Sequence, residues 1–439
     1  MSKPVCLVTA PVATRSGYGA HSRDIVRSLI KLDRYDVKIW SVRWGNTPMN
    51  ALDVNDPNDK IIIDRMLSEP NLPAQPELHI HIVIPNEFSP LGKYNIGITA
   101  GLETTACPGE WIQGINRMNL NIVPSLFVKD VLENVSFDIQ DERTGQNQGV
   151  LKTEKPIEVL FEGVDTNIFK KTNEFTKEFL EEMDKIEEDF NFLYVGHWLQ
   201  GGLGQDRKDT GMLIKVFCET FKNMKKQPSL VMKMSSAGFS VMDRENMLNK
   251  INEIKSQVNG KCPNIYLIHG DFTDDEMNQL YNHPKIKTHI SFTHGEGFGR
   301  PLLEATISGK LVIASNWSGH TDFLESKYCV MLEGNLEKVQ KGSFPDNFYV
   351  EGSQWFTVNY QKASQTLRKV YRSYKKYTAN AVRLGTRNQR IFSLDAMTIE
   401  LGNLLDKYVP EFPKEVELKL PKLKKVDAPK IELPKLKKV

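Results

Sequence analysis

Two consecutive series of short β-rich runs, each alternating with helical segments, limit what this chain can fold into. In the first series "VCLVTAPV", "YDVKIWSV", "ELHIHIVIP", "YNIGITAGLE" and "NLNIVPS" read as strands. Between the first two, "GYGAHSRDIVRSLIKL" carries Ile25, Leu29 and Leu32 at helical spacing. Strands separated by helices join in parallel through crossovers, so the pattern predicts βαβ units. Residues 138–155, "DIQDERTGQNQGVLKTEK", are polar and aperiodic and read as a loop or linker. "PIEVLFEGVDTNIF" then opens a second series containing "FNFLYVGHW", "SLVMKMSS", "NIYLIHG", "KTHISFT" and "KLVIASN". Two tandem Rossmann-like α/β halves facing a cleft suit this order. The expected partition is residues 1–155, 156–385, a helix over 386–410 returning to the first half, and a tail over 411–439.

Composition narrows the class further. The chain has 439 residues, enough for two or three domains with cores of their own. With 40% hydrophobic and 26% charged residues it is neither a fibre nor wholly disordered. The net charge of +2 gives no global reason to expect a nucleic-acid partner. Positive charge gathers in the tail, where residues 419–439 hold eight lysines against two acids. Prolines at 410, 413, 421, 429 and 434 rule out a long helix there, and "LPKLKKV" occurs twice. Such a tail reads as a solubilising extension, or as a docking strand or tether to an anionic surface. The five cysteines, Cys6, Cys107, Cys218, Cys262 and Cys329, lack CxxC spacing and read as free thiols of a reducing compartment. The first residues hold too short an apolar run for a signal peptide, and no window approaches the ~20 apolar residues of a membrane span. The expectation is a soluble cytoplasmic protein.

The densest feature is "THGEGFGRPLLEATISGK", residues 293–310. Gly295, Gly297 and Gly299 form a loop after a buried strand and would let backbone approach a ligand. Pro301 suits the first turn of a helix and Gly309 its end. A helix N-terminus offers free amides to an anion. Glu296 and Glu304 flank the junction. The residues alone leave two readings open. The loop is a ligand clamp, or the glycines make a sharp turn while Arg300 and Glu304 form a solvated i,i+4 pair of about 0.2–0.5 kcal/mol.

Glu296, Gly297, Phe298, Gly299, Pro301, Leu302, Leu303, Glu304 and Ala305 resemble the EGFG-x-P-x-LEA signature of the family-4 retaining glycosyltransferases, with the same spacing of the two glutamates. The flanks "IYLIHGDFTDDEMNQLYNHPKIKTHISF" and "GKLVIASNWSGHTDFLE" are similar as well. The likeness covers roughly residues 157–325 well and 6–132 more loosely. It implies the GT-B fold, with an acceptor-side first half and a nucleotide-sugar donor second half. It also implies transfer of a sugar to a carbohydrate, lipid or protein hydroxyl with retained configuration. By this resemblance Glu304 accepts the ribose hydroxyls and Glu296 holds the transferred sugar. The amides of Gly297, Phe298 and Gly299 meet the sugar-diphosphate, and Arg300 and Leu302 belong to the same donor-binding stretch. Ionised carboxylates accept hydrogen bonds only, and hydroxyls are what ribose and hexose offer them.

Other matches follow. Arg207 and Lys208 stand where the family neutralises the leaving diphosphate, a job suited to a guanidinium fork and an ammonium. The chain departs from the family in having His197 at the preceding strand end and a longer "QGGLGQ" loop. Gly17 and Gly19 match a first-half glycine loop. With Ser22 in the third place and no acid ending the second strand, a dinucleotide site is not expected. Glu103 replaces a cleft histidine and would orient the sugar or serve as base, or else cap a helix. Phe272 sits where the family frames the base. His79 and His81 alternate on one strand and read as core or rim residues, with no third metal ligand in sight. No Asp-x-Asp motif has the context of a metal site, so neither metal nor cofactor is expected. The rival readings are a glycoside hydrolase, an epimerase or phosphorylase on the same fold, and a non-catalytic nucleotide-sugar binder.

Overall fold

The computed structural model describes residues 3–412 except 142, 237 and 346. The expected basic tail lies outside the described residues from 413 onward. Strands β1 (Val5–Ala10), β2 (Asp36–Ser41), β3 (Leu78–Ile82), β4 (Tyr94–Ile98) and β5 (Leu120–Val123) are followed by a hairpin of β6 (Ser136–Gln140) and β7 (Asn147–Lys152), then by β8 (Ile157–Val159). Six of them make a parallel sheet in the order β2-β1-β3-β4-β5-β8. The second half repeats this with β9 (Asn191–His197), β10 (Ser229–Ser235), β11 (Ile265–Ile268), β12 (Ile286–Ile290), β13 (Leu311–Ser315) and β14 (Val330–Leu332), ordered β11-β10-β9-β12-β13-β14. A hairpin of β15 (Gly334–Lys338) and β16 (Gln354–Val358) completes it.

Both sheets are covered on both faces, which is why their strands read as continuous apolar runs rather than alternating ones. Every residue of β3 is buried, the two histidines included. His79 Nε2 lies 2.9 Å from Thr9 Oγ1, and His81 Nδ1 accepts the Ser89 amide at 3.1 Å. Burial pushes their pKa down to about 3 and about 4. They are neutral core residues that satisfy neighbouring polar groups.

Two sequence readings need adjusting. The stretch read as a linker is largely the β6–β7 hairpin, whose residues are almost all exposed and so show no burial pattern. Strand β8 pairs with β5 in the first sheet, so the chain crosses to the second half just after Val159 rather than at 155. It returns beside that crossing, where the Val164 amide donates to the Phe392 carbonyl at 3.0 Å and the Leu394 amide to the Val164 carbonyl at 2.8 Å. The helix Leu394–Tyr408 then lies on the helix Gly17–Leu32. It buries Met397, Leu401, Leu404 and Leu405 in the same core as Ile25, Val26 and Leu29. Each such leucine contributes about 1.5–3 kcal/mol by leaving water. Among the described residues no helix is long and apolar enough to cross a membrane.

Candidate active site in the cleft between the halves

The glycine junction follows β12. Gly299 adopts φ 97° and caps the helix Arg300–Ile307, Pro301 falls in its first turn, and Gly309 follows its end at φ 75°. Residues 302–307 are all buried, so Glu304 is not a solvated helix glutamate. Two of the glycines also have a neighbour in the first half. A Cβ on Gly297 would come within 2.2 Å of the Ala100 carbonyl oxygen, and one on Gly295 within 2.8 Å of that of Glu103. What these glycines admit in this structure is the backbone of the first half. Ser125 Oγ donates to the Gly297 carbonyl at 2.6 Å across the same seam.

Arg207 and Lys208 lie in the loop between β9 and the helix Thr210–Phe221. The His294 amide donates to the Arg207 carbonyl at 2.9 Å, pinning that loop to the glycine junction. The next residue, Asp209, is buried at φ 50°, a costly backbone for a non-glycine. Tyr360 donates to its Oδ2 at 2.8 Å. This strained turn aims both cations into the cleft. Lys208 Nζ lies 2.5 Å from Glu296 Oε1, and Arg207 Nη1 lies 2.8 Å from Glu103 Oε1 and 3.6 Å from Glu296 Oε2. All four residues expected to be catalytic thus form one cluster, three from the second half and Glu103 from the first. Burial alone would raise the Glu296 carboxyl, but Lys208 and Arg207 overcome it and bring it to about 2. Glu103 moves the other way, because burial outweighs the pull of Arg207.

Glu304 belongs to a second cluster. Arg300 Nε donates to its Oε1 at 3.0 Å and Tyr281 to its Oε2 at 3.1 Å. Arg300 also pairs through Nη1 with Asp24 on the helix Gly17–Leu32. Burial, only partly offset by Arg300, raises Glu304 to about 7. Glu162, buried just past β8, is raised to about 7 for the same reason and feels both Glu296 and Glu304.

The other expected residues fall around these clusters. Gly19 is required, since a Cβ there would meet the Thr14 carbonyl at 2.2 Å, whereas Gly17 faces open space. Phe272 is half-buried after β11, with Lys233 Nζ 5.1 Å from its ring centre. Phe298 and Leu302 are packed in the second half's core, leaving only their backbone for a ligand. His197, exposed at the end of β9, donates from Nδ1 to the Ser236 carbonyl at 3.1 Å. Sequence reasoning missed Asp24, Glu162, Asp209 and Tyr281. Only Asp209, ahead of Thr210 at a helix start, carried a local signal. Among the described residues no group of three or more His, Cys, Asp or Glu side chains is placed to hold a metal ion.

Two Rossmann-like halves, a charged cleft between them and a last helix returned to the first half define a GT-B architecture. The chain is similar in fold to HepE of Anabaena in complex with UDP-glucose, with a TM-score of 0.59 and 13% identity over 92% of this chain and 100% of that one. It is similar to sucrose-phosphate synthase of Thermosynechococcus elongatus, with a TM-score of 0.59 and 12% identity over 92% and 98% of the two chains. A glycosyltransferase of Rickettsia africae gives a TM-score of 0.57 and 15% identity over 93% and 99%. No family model and no curated protein matches the sequence.

Proposed function

We propose that this chain is a glycosyltransferase that moves a sugar from a nucleotide-sugar to a hydroxyl acceptor with retention of configuration, akin to the family-4 enzymes its signature resembles. The observation that carries this reading is the convergence of Arg207, Lys208, Glu296 and Glu103 where the two halves meet. Ligands of open α/β sheets bind beyond the carboxyl ends of the strands, and both cations already hold anionic oxygens there. In this reading the donor diphosphate takes the place of Glu103 and part of Glu296 as partner of Arg207 and Lys208. Glu296 then turns to hydroxyls of the transferred sugar, and Glu304 to those of the ribose.

The bond from the anomeric carbon to the diphosphate oxygen breaks, its electron pair leaving with the nucleoside diphosphate. The acceptor oxygen bonds to the same face of that carbon, and its proton passes to the departing phosphate. Charge on the leaving group is met by Arg207 and Lys208 rather than by a metal ion. Stabilising developing charge with fixed groups in a water-poor cleft is the main source of acceleration. HepE of Anabaena, which shares the fold, was solved with UDP-glucose. The test is a melting-temperature panel of UDP-, GDP- and ADP-sugars. A true donor at 100 times its dissociation constant should stabilise the chain by about 2.7 kcal/mol. If no nucleotide-sugar raises the melting temperature, the reading falls.

A further inference from the structure

We propose that the first half carries a saccharide subsite built on the indole of Trp44, so that the acceptor hydroxyl belongs to a sugar. The inference rests on the transfer reading above and names its acceptor class.

Trp44 lies in the loop after β2. That loop is laced to the loop after β1. The Arg15 amide donates to the Pro48 carbonyl at 3.1 Å, the Ala51 amide to the Ala13 carbonyl at 3.0 Å, and Arg15 Nη2 to the Asn50 carbonyl at 3.1 Å. Both loops leave the carboxyl ends of their strands, the edge at which open α/β sheets bind ligands. Arg15 Nε reaches Asp271 of the second half at 2.7 Å, which sets this pair of loops at the cleft.

The indole stacks on the ring of Tyr18, with centroids 3.9 Å apart and planes 25° from parallel. Tyr18 is fixed from below, since its hydroxyl lies 3.0 Å from Thr99 Oγ1 and accepts the Ala100 amide at 3.0 Å. Ala100 is the residue whose carbonyl presses on Gly297, and Glu103 follows three positions later, paired with Arg207. Tyr18 and the Ala100–Glu103 backbone thus link Trp44 to the charged cluster. Gly17, adjacent to Tyr18 in the chain, is exposed, and a Cβ on it would meet nothing within 4 Å. Gly45, next to Trp44, faces open space too.

The chemistry of this wall selects its ligand. A half-buried indole held flat against a second ring offers one rigid apolar plate at little entropic cost. Arg43 and Asn46 of the same loop are polar and exposed. A lipid chain needs a continuous apolar groove. A pyranose needs what is here, a plate for its C–H face and polar groups for its rim hydroxyls. Seated on Trp44, such a ring would lie at the edge of the cleft that the Arg15–Asp271 pair marks.

The test uses the full chain, the nucleotide-sugar that raises its melting temperature, and methyl α- and β-glucosides, galactosides and mannosides as acceptors. Methyl aglycones avoid stacking of their own. At least one glycoside should bind by saturation-transfer NMR and accept the sugar. Trp44→Ala should raise the KM for that glycoside about tenfold or more with kcat little changed, the order of one lost stacking contact. The donor-induced melting shift should persist in that variant, and Trp44→Phe, which keeps a flat ring, should recover most of the affinity. A donor that binds while no glycoside does overturns the proposal, and so does an unchanged acceptor KM in Trp44→Ala. Absence of any donor shift in the wild type removes the transfer reading and this subsite with it.

Discussion

Acids with opposite fates share the cleft. Two cations hold Glu296 at about 2, whereas burial raises Glu304 and Glu162 to about 7. An acid raised in the folded state keeps a proton that the unfolded chain has released. Between the ordinary value of 4.5 and about 7 the folded state therefore binds more protons, and each such group costs stability as pH rises. The slope is about 1.4 kcal/mol per pH unit while the two states differ by a full proton. Glu304→Gln should flatten that decline and be more stable than wild type at pH 8, measured by denaturant unfolding across pH 5–8. A variant less stable at pH 8 would mean that the ionised carboxylate is well paired instead. The same variant should bind nucleotide more weakly, and wild-type affinity should fall as pH drops below 7. Lys208→Met should lower kcat by about 100–1,000-fold, the scale of one lost charge-stabilising donor, in a product-release assay. Glu296, Glu304, Arg207 and Lys208 were singled out by the resemblance of their stretches to the family pattern, and the structure brings Glu296, Arg207 and Lys208 into one cluster. Asp24 and Glu162 were not legible, because a lone acid in a helix or loop reads as solvated until the other half of the molecule is seen to cover it.

At the scale of elements, strands were legible wherever both faces are covered, since an unbroken apolar run has few other uses. The β6–β7 hairpin was not, because exposed pairing leaves no apolar alternation to read. The glycine loop was recognised as special, but the partner that demands glycine was not. Its neighbour is the Ala100–Glu103 backbone, more than a hundred residues earlier in the chain. Gly297→Ala should force that seam apart at a cost of about 1–3 kcal/mol, the usual range for overpacking. The melting temperature would fall, and small-angle scattering would report a wider separation of the halves. Gly17→Ala, with open space around it, should change stability by no more than about 0.5–1 kcal/mol. Equal losses in the two variants would rule out the seam as the cause.

The described residues form two halves, the second interrupting the first. The two crossings lie side by side near Val164 and Phe392, and the last described helix closes the first half's core. Leu401→Ala should therefore destabilise the first half by about 2–5 kcal/mol, as deleting a buried leucine does, although it lies hundreds of residues from the strands it supports. Differential scanning calorimetry should show the lower-melting transition moving while the other stays. A fragment of residues 161–392 should fold alone. Residues 1–160 should stay unfolded until a peptide of residues 393–412 is added. The side-by-side crossings also set an order of birth. A ribosome making this chain releases the second domain complete while the first still waits for its closing helix. The first half, made before the second, then becomes native after it.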